Sequence, residues 1–193
     1  MDLTILKQLR DQTGVGIADC KIALEQSGGD MAKAVDVLRK SGQMKAAKKG
    51  ERTTSEGLIG SYVHSSGKVG AMVALACETD FVARNESFMA LARDLAMHVA
   101  SENPLYLSPE DVPSEVLEKE TQIYKEQLLK EGKPEAMIDK IIPGKLSKYY
   151  EDACLLEQYF VKDDKKKIKD LISDSVLQVG ENIKISSFKR FAL

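Results

Sequence analysis

The sequence predicts an α+β fold: three short helices, then a core with a three-stranded, mostly antiparallel sheet and helices on one side. Three observations carry this. Apolar residues recur at three- and four-residue spacing through the first forty positions. At Glu56 the pattern changes to two apolar runs around a glycine-containing turn. Helical spacing resumes after Asn85 and gives way to a last alternating run from Ile183.

In the first segment, Thr4 is expected to cap a helix whose Ile5, Leu6 and Leu9 share a face. Thr13-Gly14-Val15-Gly16 breaks it. A second helix covers Ile17 to Gln26, with Cys20, Ala23 and Leu24 inward, and Ser27-Gly28-Gly29 ends it. Asp30 caps a third, with Met31, Ala34, Val35 and Leu38 as its apolar face. So small a module is marginal alone or rests against something else. Residues 1–42 are therefore read as one unit, 43–55 as a basic linker, helical in part, and 56–193 as the core.

Within the core, Leu58 to His64 and Val69 to Cys77 flank Ser65-Ser66-Gly67-Lys68 and form a hairpin. Asn85 caps a long helix with Phe88, Leu91, Ala92, Leu95 and Val99 on one stripe. Pro113 opens a helix reaching about Glu131, with a patchy seam of Leu117, Tyr124 and Leu128. Two shorter helices follow, Pro134 to Ile141 and Lys145 to Leu156. Asp163 or Asp164 is expected to cap a helix carrying Ile168, Leu171, Ile172, Val176 and Val179, which Gly180 stops. Ile183 to Phe191 is the last strand; Phe188 is out of phase with Ile183 and Ile185, which predicts a bulge or a change of face. One sheet face must lie under helices, and the other needs a partner or water.

Composition narrows the function. The 193 residues are 43% hydrophobic and 30% charged, with 28 basic and 30 acidic side chains and a net charge of -2. That balance gives no overall drive toward polyanions. No apolar run reaches the length of about 18 residues that spans a bilayer. The start, Met1-Asp2-Leu3-Thr4, lacks a secretory signal, so a cytoplasmic protein is expected. Cys20, Cys77 and Cys154 are odd in number and far apart, which predicts reduced thiols rather than disulfides or a zinc site.

Catalytic chemistry is not indicated. His64 and His98 are the two histidines, and there is no zinc-protease motif, nucleophile elbow or phosphate-binding loop. Gly14-Val15-Gly16 lies between helices rather than after a strand, so it does not read as a dinucleotide site. No catalytic residue, metal ligand or cofactor is assigned. One segment stands out, Cys77-Glu78-Thr79-Asp80-Phe81-Val82-Ala83-Arg84-Asn85, joining the most apolar strand to the long helix. Phe81 either tucks into its own core or projects into a partner. Asp80 is either a cap or a charge presented outward. Spacing leaves both pairs open.

Leu9-Arg10-Asp11-Gln12-Thr13-Gly14-Val15-Gly16-Ile17-Ala18-Asp19-Cys20-Lys21-Ile22-Ala23-Leu24 resembles the N-terminal signature of the elongation factor Ts family. Gly29-Asp30 and Leu38-Arg39-Lys40-Ser41-Gly42 continue it. Glu78 to Asn85 resembles the second signature of that family, and Tyr150 to Asp164 is also similar to it. The resemblance implies a nucleotide-exchange factor for elongation factor Tu, without covalent chemistry. It implies that the first three helices, similar to ubiquitin-associated domains, dock on the GTPase through Arg10, Val15, Ile17 and Ala18. It implies that Thr79, Asp80, Phe81 and Val82 disturb the partner's magnesium and nucleotide site. Met97 and His98 are carried over as a second contact. Long members of the family carry two core halves and an added helical hairpin, whereas this chain has one core half. The resemblance therefore implies a homodimer paired through its sheets and a two-plus-two complex with elongation factor Tu.

Two other readings compete. The helical module could be a passive binder of ubiquitin-like or other proteins. Lys45, Lys48, Lys49 and Arg52, with Lys165, Lys166, Lys167 and Lys169, could bind RNA or the ribosome, although a solvated face is the expected role of such charge runs. No direct nucleic-acid or membrane contact is expected.

Overall fold

The computed structural model describes residues 3–193. Helices α1 (Leu3–Thr13), α2 (Ile17–Gln26) and α3 (Met31–Lys49) close around Leu6, Leu9, Val15, Cys20, Ala23, Leu24, Ala34 and Leu38. The Asp30 carboxylate accepts from the Lys33 N–H at 3.1 Å and caps α3 as expected. Thr4 lies inside α1, past the flanking position from which a side chain caps a helix start, so its expected capping role is corrected. The α3 helix continues to Lys49 because its second half has a surface to rest on: it runs along α8 (Ile168–Val179), and Leu177 of α8 joins the module's core.

Strands β1 (Glu56–Val63), β2 (Val69–Cys77) and β5 (Ile183–Ala192) form one antiparallel sheet in the order β1-β2-β5. The expected bulge is present: Ala74 pairs with Ser187 but Leu75 with Ile185, which leaves Ser186 extra and puts Phe188 back in phase. Helix α5 (Glu86–Glu102) covers one face and buries Phe88, Leu91, Ala92, Leu95 and Val99 against Ala71, Val73 and Leu75. Contact is so close that a Cβ at Gly60 would lie 2.3 Å from the Ala92 carbonyl oxygen. The α+β architecture and helix-covered sheet agree with the reading of the sequence.

The second half needs three corrections. Helix α6 (Ser114–Lys130) is followed by one helix, α7 (Glu135–Ala153), not two. Pro143 sits inside it, and the pair stays together over a satellite core of Leu128, Ile138 and Ile142. That burial offsets the hydrogen bond a proline cannot donate. Next, Tyr159–Phe160 (β3) and Asp163–Lys167 (β4) form an unforeseen two-stranded ribbon. Asp163 and Asp164 are consequently strand residues, and α8 is capped by Asp170, whose carboxylate accepts the Lys167 N–H at 3.3 Å. A one-turn helix, α4 (Asp80–Ala83), fills the junction between β2 and α5.

Candidate functional site

The junction after β2 is built by short-range chemistry. Thr79 is extended and is the N-cap of α4; its hydroxyl accepts the Val82 N–H at 3.5 Å. In a turn of four residues only one side can face inward, and Val82 and Ala83 take it, half-buried against the main core. Phe81 is left 82% exposed, which removes the reading in which it fills its own core. Asp80 opens the turn and pairs with Arg84 at 3.0 Å on the surface, so Thr79, not Asp80, is the cap. Asn85 accepts from the Ser87 N–H at 2.9 Å and starts α5.

The turn is also held from outside. Both the N–H and the hydroxyl of Thr79 donate to the Glu181 carboxylate, at 3.0 and 2.7 Å. Glu78 accepts the Asn182 N–H at 2.6 Å and faces the Arg52 guanidinium at 3.4 Å. Buried Asn182 in turn donates from its amide to the Arg52 carbonyl at 2.9 Å. Lys49 donates to the Gly180 carbonyl. Glu181 and Asn182 were invisible as site residues in the sequence. Only the β2–β5 pairing, which sets Cys77 opposite Ile183, brings them to Glu78 and Thr79.

The other carried-over residues divide by exposure. Arg10, Ile17 and Ala18 are exposed on the helical module, while Val15 is buried in its core. Met97 is half-buried and lines a groove of about 410 Å³ with Tyr62, His64, Val69 and Val161. His98 is 0% exposed. Its Nδ1 accepts the Val161 N–H at 3.3 Å, and its Nε2 bonds the side-chain Oε1 of Gln158 at 3.0 Å. With Nδ1 accepting, the proton lies on Nε2. Burial pushes its pKa below the ordinary value, and the ring braces α5 against the loop after β3. Its place in the interior corrects the expectation of a side-chain contact with a partner, while Met97 beside it is half-buried.

Much of the basic character is used internally. Lys45 pairs with Asp19 at 2.7 Å, Lys166 with Asp174 at 2.7 Å, and Lys169 with Glu157 at 2.7 Å. Lys167, placed on a strand rather than opening a helix, bonds Glu151 and Glu157 at 3.0 and 3.1 Å. These pairs oppose a phosphate-binding stripe. The cysteines are buried free thiols, and burial raises all three, Cys154 up to about 11, so they are poor nucleophiles at neutral pH. Among the described residues no group of three or more His, Cys, Asp or Glu could hold a metal, and no helix is long and apolar enough to cross a membrane.

Comparison with known proteins now adds a decisive observation. The family model described as Elongation factor TS matches residues 25–193. The chain belongs to the elongation factor Ts family. The "Elongation factor Ts" of Oleidesulfovibrio alaskensis is 54% identical over 189 residues, covering 98% of this chain and 96% of that one. That of Thermosipho melanesiensis is 53% identical over 189 residues, with the same coverage of both chains. That of Thermotoga petrophila is 51% identical over 193 residues, covering 100% of this chain and 96% of its own. The family is one of translation elongation factors. In this chain, Thr79 to Val82 form a braced turn with one aromatic ring held in solvent.

Proposed function

We propose that this chain is a guanine-nucleotide exchange factor for elongation factor Tu in translation elongation. The observation that carries the reading is the exposure of Phe81 on a turn anchored at Thr79, Val82 and Ala83. Large aromatic rings are costly to leave in water, and one placed at the rim of a rigid scaffold suits insertion into another protein. Family membership supplies the partner.

In this reading residues 1–42 dock on the GTPase domain through Arg10, Ile17 and Ala18, with Val15 supporting them from beneath. Residues 43–55 connect, and residues 56–193 present the wedge and the dimer surface. Thr79 to Val82 enter beside the nucleotide: Phe81 is the wedge, and Asp80 helps shift the segment that holds magnesium. Met97 contributes a second contact from its groove. The setting is the cytoplasm.

Exchange then needs no proton transfer. A factor that prefers the nucleotide-free GTPase weakens GDP binding by the same factor as GDP weakens its own. Burying the Phe81 ring contributes about 1.5–3 kcal/mol, or roughly one to two decades of affinity. Displacement of the partner's metal supplies much of the rest. Stopped-flow release of fluorescent GDP from elongation factor Tu tests the reading: acceleration by the wild type and a slower rate with Phe81→Ala are expected. A passive binder would leave the release rate unchanged. An equal rate with both forms would end the wedge mechanism.

The outer sheet face supports the homodimer and the two-plus-two complex. Ile59 and Val63 on β1, Met72 on β2 and Phe191 on β5 are exposed on one face, in register around Gly70 and Ala74. A second copy of the same face is self-complementary in kind.

A further inference from the structure

Glu181 has no role in the exchange reading above, yet it grips the turn that carries Phe81 from outside with two hydrogen bonds. It lies between Gly180, where α8 ends in a left-handed conformation (φ 77°), and the start of β5. Its two carboxylate oxygens take the Thr79 N–H and the Thr79 hydroxyl separately. Its neighbour Asn182 holds Glu78 with the roles reversed, its backbone N–H donating to the Glu78 carboxylate. Two adjacent residues of one turn thus hold two adjacent residues of the other.

We propose that Glu181 is a positioning residue for nucleotide exchange, fixing through Thr79 the direction in which Phe81 leaves the fold. The inference rests on the exchange reading. Its physical ground is that α4 has only four residues. So short a helix is not stable by itself, because nucleation costs more than its few hydrogen bonds return. The inward contacts of Val82 and Ala83 hold its far side, and Glu181 holds Thr79, the residue that caps its start. Charge-assisted hydrogen bonds are the strongest available there. A ring held in its inserting direction before contact loses less freedom on insertion, so rigidity of the turn becomes speed of exchange. The same turn, through Lys49, Gly180, Asn182 and Arg52, is tied to the end of α3.

The test is GDP release from elongation factor Tu, measured against concentration of the full-length factor, for Glu181→Ala, Glu181→Gln, Phe81→Ala and the Glu181→Ala/Phe81→Ala pair. With Glu181→Ala, which removes both hydrogen bonds to Thr79, the maximal rate is expected to fall roughly tenfold or more. The half-saturating concentration should stay within about twofold, since the docking residues are elsewhere. Glu181→Gln, which keeps one acceptor, should fall in between. Once Phe81 is removed, Glu181→Ala should slow exchange no further. Amide hydrogen exchange should quicken at residues 80–83 but not in α1–α3.

A wild-type maximal rate in Glu181→Ala, beside a slow Phe81→Ala, overturns this inference and leaves the exchange reading standing. A raised half-saturating concentration at unchanged maximal rate makes Glu181 a binding residue and also overturns it, as does full additivity in the double variant. Should Glu181→Ala fail to fold, Glu181→Gln decides: wild-type rate and wild-type amide exchange overturn the proposal. Wild-type release in Phe81→Ala removes both readings.

Discussion

Phe81 and Phe88 lie one element apart and have opposite surroundings, 82% and 1% exposed. Their replacements should separate function from stability. Phe81→Ala should change the free energy of unfolding by less than about 0.5 kcal/mol, while Phe88→Ala should cost about 3–5 kcal/mol; urea titration measures both. A large loss in Phe81→Ala would mean that the ring supports its own fold. His98 gives a second prediction at this scale. Burial holds its folded pKa below the ordinary 6.5, so below that value the unfolded chain binds the extra proton more readily. Stability should be flat with respect to His98 above about pH 6.5 and fall as the pH drops beneath it. Urea midpoints at about pH 7 and 5.5 test the sign; a rise at the lower pH would contradict the buried neutral ring. Gly60→Ala should cost roughly 2–3 kcal/mol by overpacking, since its Cβ would meet backbone of α5 rather than a movable side chain.

At the scale of elements, α3 and α8 form the seam between the helical module and the core. Arg39 donates to Asp170 at 2.7 Å and Gln43 does so at 3.0 Å, while the same carboxylate accepts the Lys167 N–H. Burial by itself would raise the Asp170 carboxyl, but these donors hold it below the usual carboxylate range. The stabilisation is present above the ordinary carboxylate pKa and is lost as pH falls through the lowered folded value. Asp170→Ala should cost about 2 kcal/mol, less than a fully buried pair because Arg39 is partly in water. It should also make the segment joining α3 to β1 more open to limited proteolysis than in the wild type. Unchanged stability and cleavage would show that apolar contact with Leu177 alone holds the seam. The α6–α7 pair depends instead on its own satellite core, joined to the body near Tyr106 and Ala153.

At the scale of the whole molecule, one sheet face lies under α5 and the other is open. Ile59, Val63, Met72 and Phe191 on that open face predict association of two chains. Met72→Glu puts a charge at the middle strand of the sheet, and burying it without a partner is costly. Light scattering should give twice the monomer mass for the wild type and the monomer mass for this variant. A monomeric wild type at micromolar concentration would remove stable pairing and with it the two-plus-two complex.

The local pattern of residues was enough for the helices of the module, the β1–β2 hairpin, the α5 stripe and the bulge before Phe188, because each depends on spacing within one segment. It also singled out Thr79 to Val82, the segment the exchange reading uses, through signature residues that stand next to one another. Pairing across the chain decided the rest. Pro143 stays in a helix because Ile138 and Ile142 of the same helix pack against Leu128 of α6, and Asp163 to Lys167 become a strand because Tyr159 and Phe160 lie opposite. Val15 shares its motif with exposed neighbours and His98 stands beside half-buried Met97, yet packing turns both inward. Whether Phe81 faces core or solvent was undecidable from spacing, since a one-turn helix has no periodicity to read. Tertiary structure chose: the inward positions went to Val82 and Ala83, and Glu181, about a hundred residues away in sequence, came to hold the turn.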